Sequence, residues 1–239
     1  MKKINIYLLI TAFFASTLFG FTQKVIIDDN AEIRNVEKFS AVQVSGSIDI
    51  YLSQGSESRV VVSSSDKSFS DKIITEVKNG VLIIGLKSIS INYNDKKSMR
   101  AYISAPDLSR ISLSGSTNFF VEGELKVTNL KIEMSGASDF KGHLVVENLR
   151  LSGSGNVDFH LTGSSQNLKI DVSGASDVKA NGHTTEFCDA SASGSSDIYI
   201  TVNKELKATA SGASDIIYYG DPAVRQATSS KSATIKKKS

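Results

Sequence analysis

Val172-Ser173-Gly174-Ala175-Ser176-Asp177-Val178 is one of seven copies of a single phrase. An apolar residue precedes Ser-Gly, small residues follow, and Asp or Asn then introduces another apolar residue. The other copies are Val44-Ser45-Gly46…Asp49-Ile50, Leu113-Ser114-Gly115…Asn118-Phe119, Met134-Ser135-Gly136…Asp139-Phe140, Leu151-Ser152-Gly153…Asn156-Val157, Ala192-Ser193-Gly194…Asp197-Ile198 and Ala210-Ser211-Gly212…Asp215-Ile216. From Gly115 onward the glycines step by 21, 17, 21, 20 and 18 residues. A period of that size marks a supersecondary unit stacked on copies of itself, each burying its neighbour's apolar face.

Within a copy, the residues two and four before the glycine are apolar, as in Leu113 with Ile111, Leu151 with Leu149 and Val172 with Ile170. Six before it stand Leu130, Leu168, Cys188 and Leu206, and beyond it Phe119, Phe140, Val157, Val178, Ile198 and Ile216 share a column. Alternation of period two means strands with one buried face. Two inward-facing strands therefore meet at a Ser-Gly corner, where glycine supplies positive φ and Asp or Asn caps turn amides. The fold this predicts is all-β: a single-stranded, right-handed parallel β-helix. A Greek-key sandwich would not keep inward columns in fixed register with a recurring corner. Leu168 and Ile170 are expected in the core. On the outer face Arg150 is expected between Glu133 and Asp171, since all three lie three residues before their glycines.

The repeat lapses between Gln54 and Pro106. There Ile73 to Val77 meets Val81 to Ile84 across Lys78-Asn79-Gly80, a strong hairpin signal. Residues 56–104 are read as a hairpin insertion covering the mouth of the helix, because an open solenoid end invites edge pairing. After Asp221-Pro222, residues 227–239 read as a flexible basic tail ending in Lys236, Lys237 and Lys238. At the other end Lys2 and Lys3 precede an apolar run to Phe21 with small residues near its close, the pattern of a signal peptide over residues 1–22. The solenoid domain then spans 23–226. Cys188 is the only cysteine, so neither a disulfide framework nor a lipoprotein cysteine after the leader is available.

The chain has 27 Lys and Arg against 25 Asp and Glu, and Lys2 and Lys3 account for the excess. A neutral mature chain has no global electrostatic reason to seek nucleic acid. Leader cleavage would leave no transmembrane anchor.

Ser45-Gly-Ser-Ile-Asp-Ile-Tyr-Leu-Ser-Gln-Gly55, Val77-Lys-Asn-Gly-Val-Leu-Ile-Ile84 and the tandem Ser-Gly-Ala-Ser-Asp phrases resemble the bacterial head GIN domain family, common in Bacteroidetes and described as auto-transporter adhesins. The resemblance runs from about Phe39 to Val224. It implies an exported β-helical protein with a fold related to pectin-lyase-like solenoids. It brings no catalytic residues, and no translocator barrel is visible in the sequence.

The structural ladder of the corner comprises Gly46, Gly115, Gly136, Gly153, Gly174, Gly194 and Gly212 with Asp139, Asp177, Asp197 and Asp215. Its acids, with Asn118 and Asn156, could stack oxygens around calcium, although turn capping accounts for each of them. A hydrolytic pair needs two acids set apart from the rest, and here every Asp has siblings. Ser154 lies between Gly153 and Gly155 but in a corner, not a nucleophile elbow. Cys188 shares a column with leucines and reads as a buried small hydrophobe. The sharpest candidate is a zinc or copper site at Glu122, His143 and His160, which all lie seven residues after their glycines. No cofactor and no catalytic residue is expected.

The reading is an exported, non-enzymatic, adhesin-like solenoid in the periplasm, at the cell surface or secreted, with a polysaccharide or protein as surface ligand. A carbohydrate-active enzyme, lyase or hydrolase, and a self-assembling envelope scaffold that would be a homo-oligomer are the alternatives.

Overall fold

Gly174 shows why the repeat is written with glycine. Its φ is +86°, and a Cβ there would lie 2.4 Å from the carbonyl oxygen of Gly155 one coil earlier. Side chains are excluded both by the left-handed backbone and by the stacked neighbour. Gly46, Gly115, Gly136, Gly155, Gly194 and Gly212 repeat the positive φ. The corner carbonyl accepts the N–H of the residue that follows the corner glycine of the next coil: Ala175 donates to Gly155 O at 2.8 Å and Ser195 to Gly174 O at 2.7 Å. The Ser or Thr two residues past the glycine turns inward and adds a second donor. Ser176 Oγ donates to Gly155 O at 3.4 Å and to Ser173 O at 2.8 Å, and Thr117, Ser138, Ser196 and Ser214 are likewise fully buried.

The computed structural model describes residues 30–87 and 98–238. In chain order the strands are β1 (Glu32–Arg34), β2 (Ala41–Gly46), β3 (Asp49–Gln54) and β4 (Arg59–Ser64), then the helical turn α1 (Lys67–Ser70). There follow β5 (Ile73–Lys78), β6 (Val81–Leu86), β7 (Met99–Ala105) and β8 (Arg110–Gly115). Five long strands bend around the solenoid: β9 (Asn118–Gly136), β10 (Asp139–Gly155), β11 (Asp158–Gly174), β12 (Asp177–Ala192) and β13 (Asp197–Ala210). Short β14 (Asp215–Tyr219), β15 (Ala223–Ser229) and β16 (Thr234–Lys237) complete it. Neighbouring coils pair in parallel from β9 to β13, giving a parallel β-solenoid of about seven turns. The expected signal peptide lies outside the described residues.

The fourth corner is at Ser154-Gly155, two residues beyond Ser152-Gly153. Gly155 aligns with Gly136 and Gly174, and Asp158, not Asn156, aligns with Asp139 and Asp177. Gly153 is therefore not a corner residue. It lies on the inward face, where a Cβ would come within 2.7 Å of Val157 Cγ2 and 3.0 Å of the Phe159 ring. Val157 occupies the place of the usual buried hydroxyl residue, and the missing side chain at Gly153 accommodates it. A slip of one residue would have exchanged inside for outside; a slip of two leaves the alternation intact and cannot be detected from it.

The segment read as an insertion contributes a rung of its own. β6 and β7 pair in parallel with β2 and β3, so the chain makes one coil, steps back to lay down the coil before it, and resumes at β8. The β5–β6 hairpin turns at Asn79 (φ 52°) and Gly80 (φ 74°), as a two-residue turn of the primed type requires. β4 lies antiparallel on β7 and β1 on β4, so antiparallel strands continue this end of the stack. At the far end β15 pairs with β13 and β16 with β14. The expected tail is thus held as a further rung: the open edge offers a template even to polar, solvent-facing residues.

Leu168 and Ile170 lie in the core, 3% and 0% exposed, Leu168 between Leu149 and Cys188 and Ile170 between Leu151 and Ala190. Leu168→Ala should lower unfolding free energy by about 2–5 kcal/mol, from lost transfer energy and the cavity left. Chemical denaturation checks this; a variant as stable as the parent would contradict the assigned register.

Candidate functional site

Each coil presents two outward strips, one after the Ser-Gly corner and one before it. After the corner, Asp139, Asp158, Asp177, Asp197 and Asp215 stand on five successive strands. Neighbouring strands lie about 4.8 Å apart, so these carboxylates repel one another. Partial burial raises the pKa of Asp197 above the usual carboxylate range, opposed by the Asp215 N–H and reinforced by Asp177 and Asp215. Lys179 lies 3.4 Å from Asp177, and Asn118 Nδ2 donates to Asp49 Oδ1 at 2.8 Å. Two residues further on, Tyr102, Tyr51 and Phe120 stack with 5.2 Å between neighbouring ring centroids.

The three expected metal ligands are not brought together. His143 is opposite Thr162 and Glu124, with Nδ1 at 3.0 Å from Thr162 Oγ1 and Nε2 at 3.5 Å from Glu124 Oε2. His160 stands between Lys141 and Lys179, and Glu122 is opposite Ser53. Two irregularities are the reason: counted from the true fourth corner at Gly155, the seventh residue is Thr162 and not His160, and a register shift between Lys141 and His143 sets His143 opposite Glu124 in place of Glu122. Among the described residues no three or more His, Cys, Asp or Glu side chains form a group able to hold a metal. Arg150 moves because of the displaced corner. It is flanked by Lys131 and Lys169, and Ser152 takes the place between Glu133 and Asp171.

The nucleophiles inside the solenoid are sealed. Cys188 is buried, and desolvation, helped by Asp189, pushes its thiol pKa far above the ordinary range, which suppresses the reactive thiolate. His183, fully buried, donates from Nδ1 to the Thr162 carbonyl at 3.3 Å. Its Nε2 is 3.0 Å from Ser165 Oγ. Ser165 in turn bonds Thr185 Oγ1 at 3.0 Å, and Thr185 donates to the carbonyls of Gln166 and Phe187. This is a polar plug joining two coils, with no opening for a substrate at Ser165.

Before the corner the strip is more open. Asn129, Asn148 and Asn167 stack in register, Asn148 Nδ2 donating to Asn129 Oδ1 at 2.9 Å and Asn167 Nδ2 to Asn148 Oδ1 at 2.8 Å. Phe187 occupies the next position of that column and is 37% exposed. In the adjacent column Arg110, Lys131, Arg150 and Lys169 follow on four consecutive strands, then Asp189 and Lys207. A groove of about 330 Å³ runs between these columns, lined in part by Asn148, Arg150, Asn167, Lys169, Phe187 and Lys207. Beside it a groove of about 540 Å³ is lined by Ser112, Glu133, Ser152 and Asp171. The signal for the asparagine ladder is present in the sequence: Asn129-Leu-Lys-Ile, Asn148-Leu-Arg-Leu and Asn167-Leu-Lys-Ile recur at intervals of 19 residues.

Residues 38–222 match the family described as "Putative auto-transporter adhesin, head GIN domain", and the chain belongs to that family. A crystal structure of "a putative adhesin" from Bacteroides fragilis superposes with a TM-score of 0.81 at 24% identity, covering 87% of this chain and 96% of the other. A "putative lipid binding protein" from Parabacteroides distasonis (TM-score 0.67, 20% identity) covers 87% and 96%, and "a putative adhesin" from Parabacteroides merdae (0.67, 18%) covers 87% and 95%. At these identities the likeness concerns the fold. Among curated proteins none matches.

Burial lowers the His183 pKa from 6.5, with His143 adding to the effect and the Thr162 carbonyl opposing it. The unfolded chain therefore takes up a proton more readily below about pH 6.5, and the stability of the folded chain should fall as pH drops from 7.5 to 5.5. His183→Gln removes this contribution while His143 and His160 remain. Melting curves should show a shallower pH dependence for the variant; identical slopes would contradict the assignment.

Proposed function

We propose that the chain is an exported binding protein of the cell envelope, adhesin-like, which holds a ligand on the outside of its solenoid and performs no chemistry. The observation that carries this is the repetition of outward side chains. Asparagines, cations and aspartates each recur in register on successive strands, so a surface group has equivalents one coil away. An extended or repetitive ligand can use such equivalence; a reaction centre needs particular groups distinguished from their neighbours. The thiol and the Ser-His contact, the groups that would stand out chemically, are enclosed.

Family membership and the folds of the Bacteroides and Parabacteroides proteins support the adhesin reading. Export is supported by the apolar amino-terminal run of the sequence. No helix among the described residues is long and apolar enough to cross a membrane.

Incubating the purified chain with native envelope fractions and with a panel of soluble polysaccharides tests the reading. Retention on envelope material without shortening of any polysaccharide is the expected result. Depolymerisation would establish an enzyme, and failure to bind any envelope fraction would remove the binding function.

A further inference from the structure

The four-cation row before the corner serves no evident purpose in the fold. Arg110, Lys131, Arg150 and Lys169 stand on adjacent strands, about 4.8 Å apart, and like charges placed directly opposite one another destabilise a sheet. Lys131 is relieved by Glu133 at 2.6 Å and Lys169 by Asp189 at 3.5 Å. Arg110, Arg150 and, beyond Asp189, Lys207 make no ion pair among the described residues. Both arginines and Lys207 are exposed.

We propose that this strip is a binding site for a linear acidic polysaccharide, laid along the solenoid axis over the cation row and against the ring of Phe187. The proposal rests on the binding function above and names its ligand. A chain of uronate-type sugars carries carboxylates at regular intervals along its length, and the cations recur at a regular interval along the strip. Arginine offers carboxylates a planar pair of donors. The neighbouring column suits the rest of a sugar. In Asn148 the ladder uses one amide hydrogen and one side of the oxygen, leaving a second hydrogen and lone pair for hydroxyl groups. Phe187 interrupts that column with a partly exposed ring lining the groove, an apolar surface for the C–H face of a pyranose. Lys204 Nζ lies 5.9 Å from its centroid.

The acids interspersed on this strip favour a single polymer chain over a membrane. Glu133, Asp171, Asp189 and Glu205 lie on the same face. A broad anionic bilayer would have to approach them together with the cations. A single chain can follow the row and leave the carboxylates to accept sugar hydroxyls.

The test uses the full chain and polygalacturonate, a linear polymer of uronate units, in calorimetric titration. Its methyl-esterified form, with the same backbone and no charge, is the comparison. The expected result is binding of the free acid that weakens with added salt, and little binding of the ester. Arg150→Glu with Lys169→Glu should reduce affinity by about a hundredfold or more, the scale of two lost charge-assisted hydrogen bonds. Lys141→Glu with Lys179→Glu makes the same charge change on the strip after the corner and should leave binding intact. Phe187→Ser should weaken it at unchanged net charge. All variants are at surface positions, and their melting curves verify folding. Should the first pair fail to fold, Arg150→Ser provides the same reading. Equal binding of acid and ester, equal loss from the two charge-reversal pairs, or tighter binding to phosphatidylserine vesicles would overturn the site. Envelope binding that survives the first charge reversal would overturn the site and leave the binding function standing; absence of envelope binding would overturn both.

Discussion

The carbonyl of the corner glycine is the point on which the other features depend. At Gly46, Gly115, Gly155 and Gly174 it receives a backbone N–H and an inward hydroxyl from the next coil, as Gly155 does from Ala175 and Ser176. It can do so because no Cβ stands between successive corners. A hydroxyl buried without a partner would be costly, so the glycine and the serine two residues later require one another. This contact aligns one coil with the next at a single place. The alternation of each strand then carries that alignment outward, fixing which leucines stack inside and which charges stack outside.

The architecture was legible because alternation and recurrence are local properties. Val172-Ser-Gly-Ala-Ser-Asp-Val reads as strand, corner, strand without reference to any other coil. Register is a relation between coils, and there the fourth copy misled. Gly153 is a glycine for packing against Val157, but Ser152-Gly153 imitates the corner phrase two residues early. Every inference confined to inside and outside survived the displacement, including the burial of Leu149, Leu151 and Leu168. Inferences requiring neighbours did not: the place of His160 beside His143 and of Arg150 between two acids depended on the wrong count, and Glu122 is separated from His143 by a bulge between β9 and β10 that no repeat period announces. The Asn-Leu-Lys/Arg phrases, 19 residues apart at 129, 148 and 167, contained the correct register. They belong to the outer face, where composition is freer and periodicity less conspicuous.

The ends were less legible for a different reason. A rung formed by β6 and β7 lies before β2 and β3 in space and after them in the chain, an order that no repeat period announces. β15 and β16 are nearly all exposed, and their composition resembles a solvated tail. What places them is the unpaired edge of β13 and β14, a property of the neighbouring coil. The same rigid spacing gives the outer surface its character. Groups held at a fixed pitch form lines of amide, cation and carboxylate, and such lines suit recognition of an extended partner better than chemistry on a single bond.

The corner contact is tested most directly by two glycine substitutions that share one backbone requirement. Gly123 and Gly174 have φ of +80° and +86°, but a Cβ at Gly123 meets nothing within 4 Å whereas at Gly174 it meets the Gly155 carbonyl at 2.4 Å. Gly123→Ala should lose about 1–2 kcal/mol of stability, the cost of a left-handed backbone for an L-residue. Gly174→Ala should lose substantially more in denaturant unfolding, or fail to fold cooperatively, because it also separates two coils. Equal losses for the two variants would contradict the claim that stacked corners hold the coils in register.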